Sequence, residues 1–180
     1  MPQFPAIGAA AFALFIACIP LANWMIGHVG TLCVPNGPCL IPVAPGLMAP
    51  SGVLMIGAAL VLRDIVQRLL GAAWSLLAIA AGAALSLVLA PPTLVLASGA
   101  AFLLSELADF AVYTPLQRRR LLLAVLASSA VGLVVDSLVF LTIAFDSLEF
   151  LGGQVVGKAW ALLIAFPLVR LVRRVTPVPT

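Results

Sequence analysis

The chain has 180 residues, 64% of them hydrophobic and only 8% charged, with a mean hydropathy of +1.25 and a formal net charge of +3. Nine basic and six acidic side chains fall far short of the roughly one-quarter charged composition of a soluble domain, so a water-solvated fold is excluded. The bilayer is the solvent, every backbone polar group must then be paired internally, and unbroken apolar runs of about 20 residues select membrane-spanning helices over a barrel.

One domain over 1–180 with six spans is expected: an all-α, polytopic, compact bundle. The spans run roughly 5–26, 47–70, 72–90, 93–114, 121–145 and 152–172. The first lacks the positive n-region of a signal peptide and is too long for an h-region. It carries Ala9, Ala13 and Ala17 at four-residue spacing, a stripe that packs inside the bundle or docks a partner helix. Cys18 lies inside it, and Asn23 and Trp24 near its end. The loop that follows, HVGTLCVPNGPCLIPVAPG, is rich in Pro and Gly. Pro35-Asn36-Gly37 is a turn signal, so Cys33 and Cys39 can be bridged on an oxidising face. His28 has no companion ligand, and no metal is expected there.

Span two contains Arg63, Asp64 and Arg68 and ends at Gly71; span three closes at Pro91-Pro92. Span four holds Glu106, Asp109 and Tyr113, whose spacing puts them on one stripe. Thr114-Pro115 ends it, because the residue before proline avoids the helical region. Arg118, Arg119 and Arg120 follow. They are read as a membrane-side anchor, not a nucleic-acid patch. Span five aligns Ser129, Gly132, Asp136 and Phe140 on a second stripe. Gly152-Gly153 opens span six, where Gln154 precedes Lys158 by one turn and Gly153, Gly157 and Ala161 form another small-residue stripe.

Arg68, the arginine trio and the tail residues Arg170, Arg173 and Arg174 fall at alternate helix junctions, and the other three connections contain no Lys or Arg. The positive-inside rule therefore predicts both termini in the cytoplasm. Each intramembrane charge costs about 2.5–3.5 kcal/mol at a helix centre and needs a partner or a cavity. A rise of about 1.5 Å per residue gives the depths. Arg63, Asp64 and Asp109 lie roughly 8 Å from the inner face, Glu106 about 12 Å, Lys158 about 18 Å and Asp136 about 22 Å. Similar depth pairs Arg63 with Asp109 and, further out, Lys158 with Asp136, while Asp64 reaches Arg68 along its own helix. Glu106 is left near the midplane without a cation, and is expected to face a cavity and accept from the N–H edge of a ligand. Asn23, Glu106, Asp109, Tyr113, Asp136, Phe140, Gln154 and Lys158 are the candidate binding residues. Carboxylates, amides and rings on one face suit a flat polar heterocycle, through paired N–H acceptance and stacking.

Five segments carry a family resemblance: ANWM at 22–25, LRDIVQRLLG at 62–71, SELADFAVYTPL at 105–116, SSAVGLVVDSLVFLTIAF at 128–145 and GQVVGKAW at 153–160. In this order they resemble the vitamin uptake transporter family. The resemblance implies a six-helix bundle similar to the substrate-binding components of energy-coupling factor transporters. It also implies import of queuosine precursors, the 7-deazaguanines preQ0 (7-cyano) and preQ1 (7-aminomethyl). The family's polar positions fall on Asn23, Asp64, Arg68, Asp109, Asp136 and Lys158. Departures are Ser129, where Asn is expected, Asp146, often Gly, and Glu106, Gln in some members.

The expectation is an inner-membrane importer of such a precursor, working alone, as a homodimer, or as the binding component of an ATP-driven module docked through Ala9, Ala13 and Ala17. A non-transporting membrane scaffold is the alternative of another class. An enzyme is not expected, since no Ser/His or Cys/His pair shares a depth and no Gly-rich phosphate loop occurs. No cofactor is implied.

Overall fold

The structure, a computed structural model, describes residues 3–35, 37–90, 92 and 94–175. Asn36, Pro91 and Thr180, and the side chains of Arg173 and Arg174, lie outside the described residues. Among the described residues there are six helices: α1 (Gln3–His28), α2 (Val53–Leu70), α3 (Ala72–Leu89), α4 (Val95–Leu116), α5 (Leu121–Phe145) and α6 (Leu151–Val175). Between α1 and α2 sits a three-stranded antiparallel sheet, β1 (Leu32–Cys33), β2 (Cys39–Ala44) and β3 (Leu47–Pro50), in the order β1-β2-β3.

The sheet corrects the expected start of the second span at residue 47. Leu47–Pro50 does not enter the helix but pairs with β2, with Leu40 opposite Pro50 and Ile41 opposite Ala49. Prolines 42, 45 and 50 cannot continue a helix, and Gly46 supplies the positive φ of 71° that the turn between the strands requires. Helix α2 starts only after Gly52. Cys33 and Cys39 face each other across β1 and β2 and are joined by a disulfide. Trp160 Nε1 donates to Val43 O at 3.0 Å, which fastens the sheet to the first half of α6.

Helix α2 is central and touches each of the other five helices. Arg63, Asp64, Val61 and Val66 on it are fully buried. Five helices, α1, α3, α4, α5 and α6, are long and apolar enough to cross a membrane. The six-span expectation therefore meets an exception at α2, which carries three charges in 18 residues. The other helices shield it from lipid, so its composition answers to the protein interior. Its length corresponds to about 27 Å at 1.5 Å per residue, close to the ~30 Å hydrocarbon core. Gly71, at φ 96°, breaks the chain sharply before α3. Helix α3 is peripheral: Trp74, Leu76, Leu77, Leu87 and Val88 are exposed, and Ser75, Ala78, Ile79, Gly82 and Ser86 face inward.

One helix end differs from expectation. Helix α4 passes through Thr114-Pro115 to Leu116. A proline in the last turn removes a single bond where carbonyls are running out of partners anyway, and Thr114 Oγ1 donates to Phe110 O at 2.7 Å within that turn. Helix α5 ends at Phe145, as expected, and is capped by Asp146, a non-glycine residue at φ 47°. The two small-residue stripes separate. Gly153, Gly157 and Ala161 are buried, and a Cβ added at Gly57 on α2 would stand 2.7 Å from that of Ala161. Ala9, Ala13 and Ala17 are exposed along the outside of α1.

Candidate functional site: a polar cleft at the sheet end of the bundle

The sheet-side halves of all six helices enclose a cleft of about 520 Å³, its open mouth included. Helix α1 supplies Ile19, Ala22, Asn23 and Ile26; α4 supplies Ser98, Ala101 and Phe102; α5 supplies Asp136 and Phe140; α6 supplies Gln154 and Lys158. Pro50 of β3, then Gly52, Val53, Ile56 and Ser86, complete the wall. Rings, aliphatic groups and a few convergent polar groups are the usual make-up of a small-molecule site.

The polar groups are held in place. Lys158 Nζ lies 2.5 Å from Asp136 Oδ2 and donates to Ser137 Oγ at 2.7 Å and Gln154 Oε1 at 2.5 Å. All three ammonium protons are thereby used, as a buried cation needs. The i, i+4 step from Gln154 to Lys158 puts both on one face of α6, and Ser137 follows Asp136 on α5. Asp136 Oδ1 is left with a 3.5 Å approach from Ser105 Oγ, so it keeps acceptor capacity beside the cleft. Asn23 Nδ2 donates to Ile19 O at 2.9 Å on its own helix.

A second polar network lies deeper, toward the arginine-rich end. Arg63 is its hub. Nε lies 3.2 Å from Glu106 Oε2, Nη1 donates to Gln67 Oε1 at 2.9 Å, and Nη2 lies 2.8 Å from Asp64 Oδ1 and bonds Asp109 Oδ1. Gln67 passes the network on to Thr114 Oγ1 at 2.9 Å, and Ser128 Oγ donates to Asp64 Oδ2 at 3.1 Å. The guanidinium also sits 5.4 Å from the Tyr113 ring centroid and 6.0 Å from that of Phe110.

The eight sequence-selected binding residues therefore divide. Asn23, Asp136, Phe140, Gln154 and Lys158 line the cleft. Glu106, Asp109 and Tyr113 do not; they belong to the Arg63 network and are 0–1% exposed. Glu106 is not the cation-free carboxylate that depth reasoning made it. One guanidinium has several N–H edges, so Arg63 serves Glu106 as well as Asp109. Asp64, expected to reach Arg68, is joined to Arg63 and Ser128. Sequence reasoning missed Phe102, one turn before Glu106, and the serines 105, 128 and 137 that satisfy the carboxylates and the ammonium. Their signal was faint: each is simply the neighbour, by one residue or one turn, of a selected position.

Six helices, five of them able to span a bilayer by length and composition, packed around a cleft of fixed polar groups, define a polytopic membrane protein. Residues 86–172, from the end of α3 through most of α6, match the family model "Putative vitamin uptake transporter". The matched stretch contains Phe102, Asp136, Phe140, Gln154 and Lys158 of the cleft, and Glu106 and Asp109 of the deeper network. No curated protein and no solved structure matches the chain.

Proposed function

We propose that this protein imports a purine-like 7-deazaguanine, a queuosine precursor such as preQ0 or preQ1, across the bacterial inner membrane, and binds it in the sheet-end cleft. The observation that carries the reading is that Asp136, clamped by Lys158, lines the same cleft as Gln154, Phe102 and Phe140. A carboxylate oxygen with spare capacity accepts from ring and amino N–H groups, the Gln154 and Asn23 amides address carbonyl and ring nitrogen atoms, and the phenyl rings cover a flat face. The transporter-family match, from the last turn of α3 through α4, α5 and most of α6, supports the class of function. On this reading the arginine-rich junctions and both termini are cytoplasmic, and the cleft opens to the other side beside the disulfide-bonded sheet.

Purified protein in lipid nanodiscs, titrated with preQ0, preQ1, guanine, adenine and a panel of vitamins, tests it. Saturable binding of the 7-deazaguanines, weakened about 10- to 150-fold by Asp136→Asn as expected for one charge-assisted hydrogen bond, supports the reading. Binding of an unrelated vitamin in their place refutes the substrate. No saturable binding of any kind favours a scaffold. The exposed Ala9, Ala13 and Ala17 face of α1 favours a second mode, in which an ATP-driven module docks there. Co-purification of ATPase subunits, abolished by Ala13→Leu, is its signature.

A further inference from the structure

The deep network contains more acid than base. Asp64, Glu106 and Asp109 surround Arg63, and all four are 0–1% exposed. Arg68, half-buried one turn further along α2, can be counted as a second cation. Among the described residues, carboxylates still outnumber cations by one. An uncompensated carboxylate at this depth costs several kcal/mol, and neutralisation by a bound cation removes that cost. Among the described residues, Asp109 Oδ2 and the Tyr113 hydroxyl, both on fully buried side chains of the cluster, also lack a hydrogen-bond partner, and Asp64 Oδ1 has only its ion pair with Arg63 Nη2 at 2.8 Å. The guanidinium occupies the centre, reached by all three acids. A metal ion would have to displace it; a proton needs no such room.

We propose that the Arg63–Asp64–Glu106–Asp109 cluster is a proton-binding site, with the exchangeable proton on Glu106. The geometry selects Glu106. Its contact to Arg63 is a single approach at 3.2 Å to Nε, whereas Asp64 and Asp109 share Nη2 at closer range and Asp64 also accepts from Ser128. Groups facing Glu106 are Arg63 and Asp64 from α2, Asp109 from its own helix, the buried Cys18 thiol from α1, and Asp136 from α5, itself neutralised by Lys158 of α6; Tyr113 faces Arg63, Asp64, Asp109 and Arg68 instead. The proton comes from water and returns to it, forming and breaking one O–H bond on the Glu106 carboxyl. Ser105, which precedes Glu106 and approaches Asp136, puts the site one step behind the cleft wall. A titratable site in that position is suited to couple proton movement to ligand occupancy. That consequence rests on the transporter reading; the proton site itself does not.

The test needs no ligand. The chain has two glutamates, Glu106 and the exposed Glu149, so glutamate labelling singles out one buried carboxyl without mutation. Infrared spectra of the full chain in lipid at neutral pH, with and without carboxyl-13C glutamate, are expected to show a protonated-carboxyl C=O band that shifts on labelling and is lost in Glu106→Gln. The absence of any glutamate-sensitive protonated-carboxyl band in the unmutated protein overturns the proposal, whether or not the variant folds. So does a label-sensitive band that survives in Glu106→Gln. Failure of 7-deazaguanine binding would leave this result untouched, so the two readings stand or fall separately.

Discussion

Replacing Lys158 with Met removes the one cation that lines the cleft among the described residues. Lys158 is 1% exposed and donates to three oxygens, those of Asp136, Ser137 and Gln154, at 2.5–2.7 Å. The substitution leaves one buried carboxylate without its cation and two neutral acceptors without a donor. Breaking a buried pair from one side costs about 3–5 kcal/mol, and the stranded acceptors place Lys158→Met at the upper end. Asp136→Asn is milder. The ammonium keeps Ser137 and Gln154 and gains an amide oxygen in place of the carboxylate, so about 3 kcal/mol is expected. The double variant loses both charges at once and should cost less than the sum, with a coupling energy of at least about 1 kcal/mol. Reversible unfolding of the four proteins in mixed micelles, followed by circular dichroism, measures the cycle. Losses additive to within about 0.5 kcal/mol, or an Asp136→Asn variant less stable than Lys158→Met, would refute the argument that one ammonium organises this wall.

The close crossing of α2 and α6 makes Gly57 sensitive. Gly57→Ala sets a methyl 2.7 Å from Ala161 Cβ and 2.8 Å from Lys158 O, and a loss of about 1–3 kcal/mol from overpacking should lower the thermal midpoint, while Gly27→Ala, with open space around it, should leave it unchanged. Thiol counting checks the sheet: of three cysteines, Cys18 alone should react in the denatured, unreduced protein and all three after reduction, because Cys33 and Cys39 are bonded. Topology is open to a reporter assay, with fusions at Thr180 and within Arg118–Arg120 expected to be cytoplasmic and an insertion at Asn36 external; labelling of the Arg118–Arg120 loop from outside intact cells would reverse the orientation.

Much of the bundle could be read from the sequence by itself. Composition demanded a membrane solvent, the uninterrupted apolar runs demanded helices, and Gly71 and the Pro- and Gly-rich segments marked the breaks to within a few residues. Height was legible too, because an α-helix rises by a constant amount per residue. Asp136 and Lys158 were matched from their depths, and in the structure they touch. Azimuth was not legible. Which way a side chain points about the helix axis depends on how each helix is rotated against its neighbours, and that is settled by packing among residues far apart in the chain. Glu106 and Asp136 differ little in kind and both lie in the bundle's interior, yet rotation turns Asp136 to the cleft and Glu106 to Arg63. The central place of α2 was hidden for the same reason. Three charges in 18 residues keep it out of the set of helices apolar enough to cross a membrane, and only the five surrounding helices make that composition affordable. The sheet was missed because Leu47–Pro50 is apolar enough to extend a span. Its pairing partner lies across a turn in β2, and hydrogen bonding between segments leaves no trace in a hydropathy pattern.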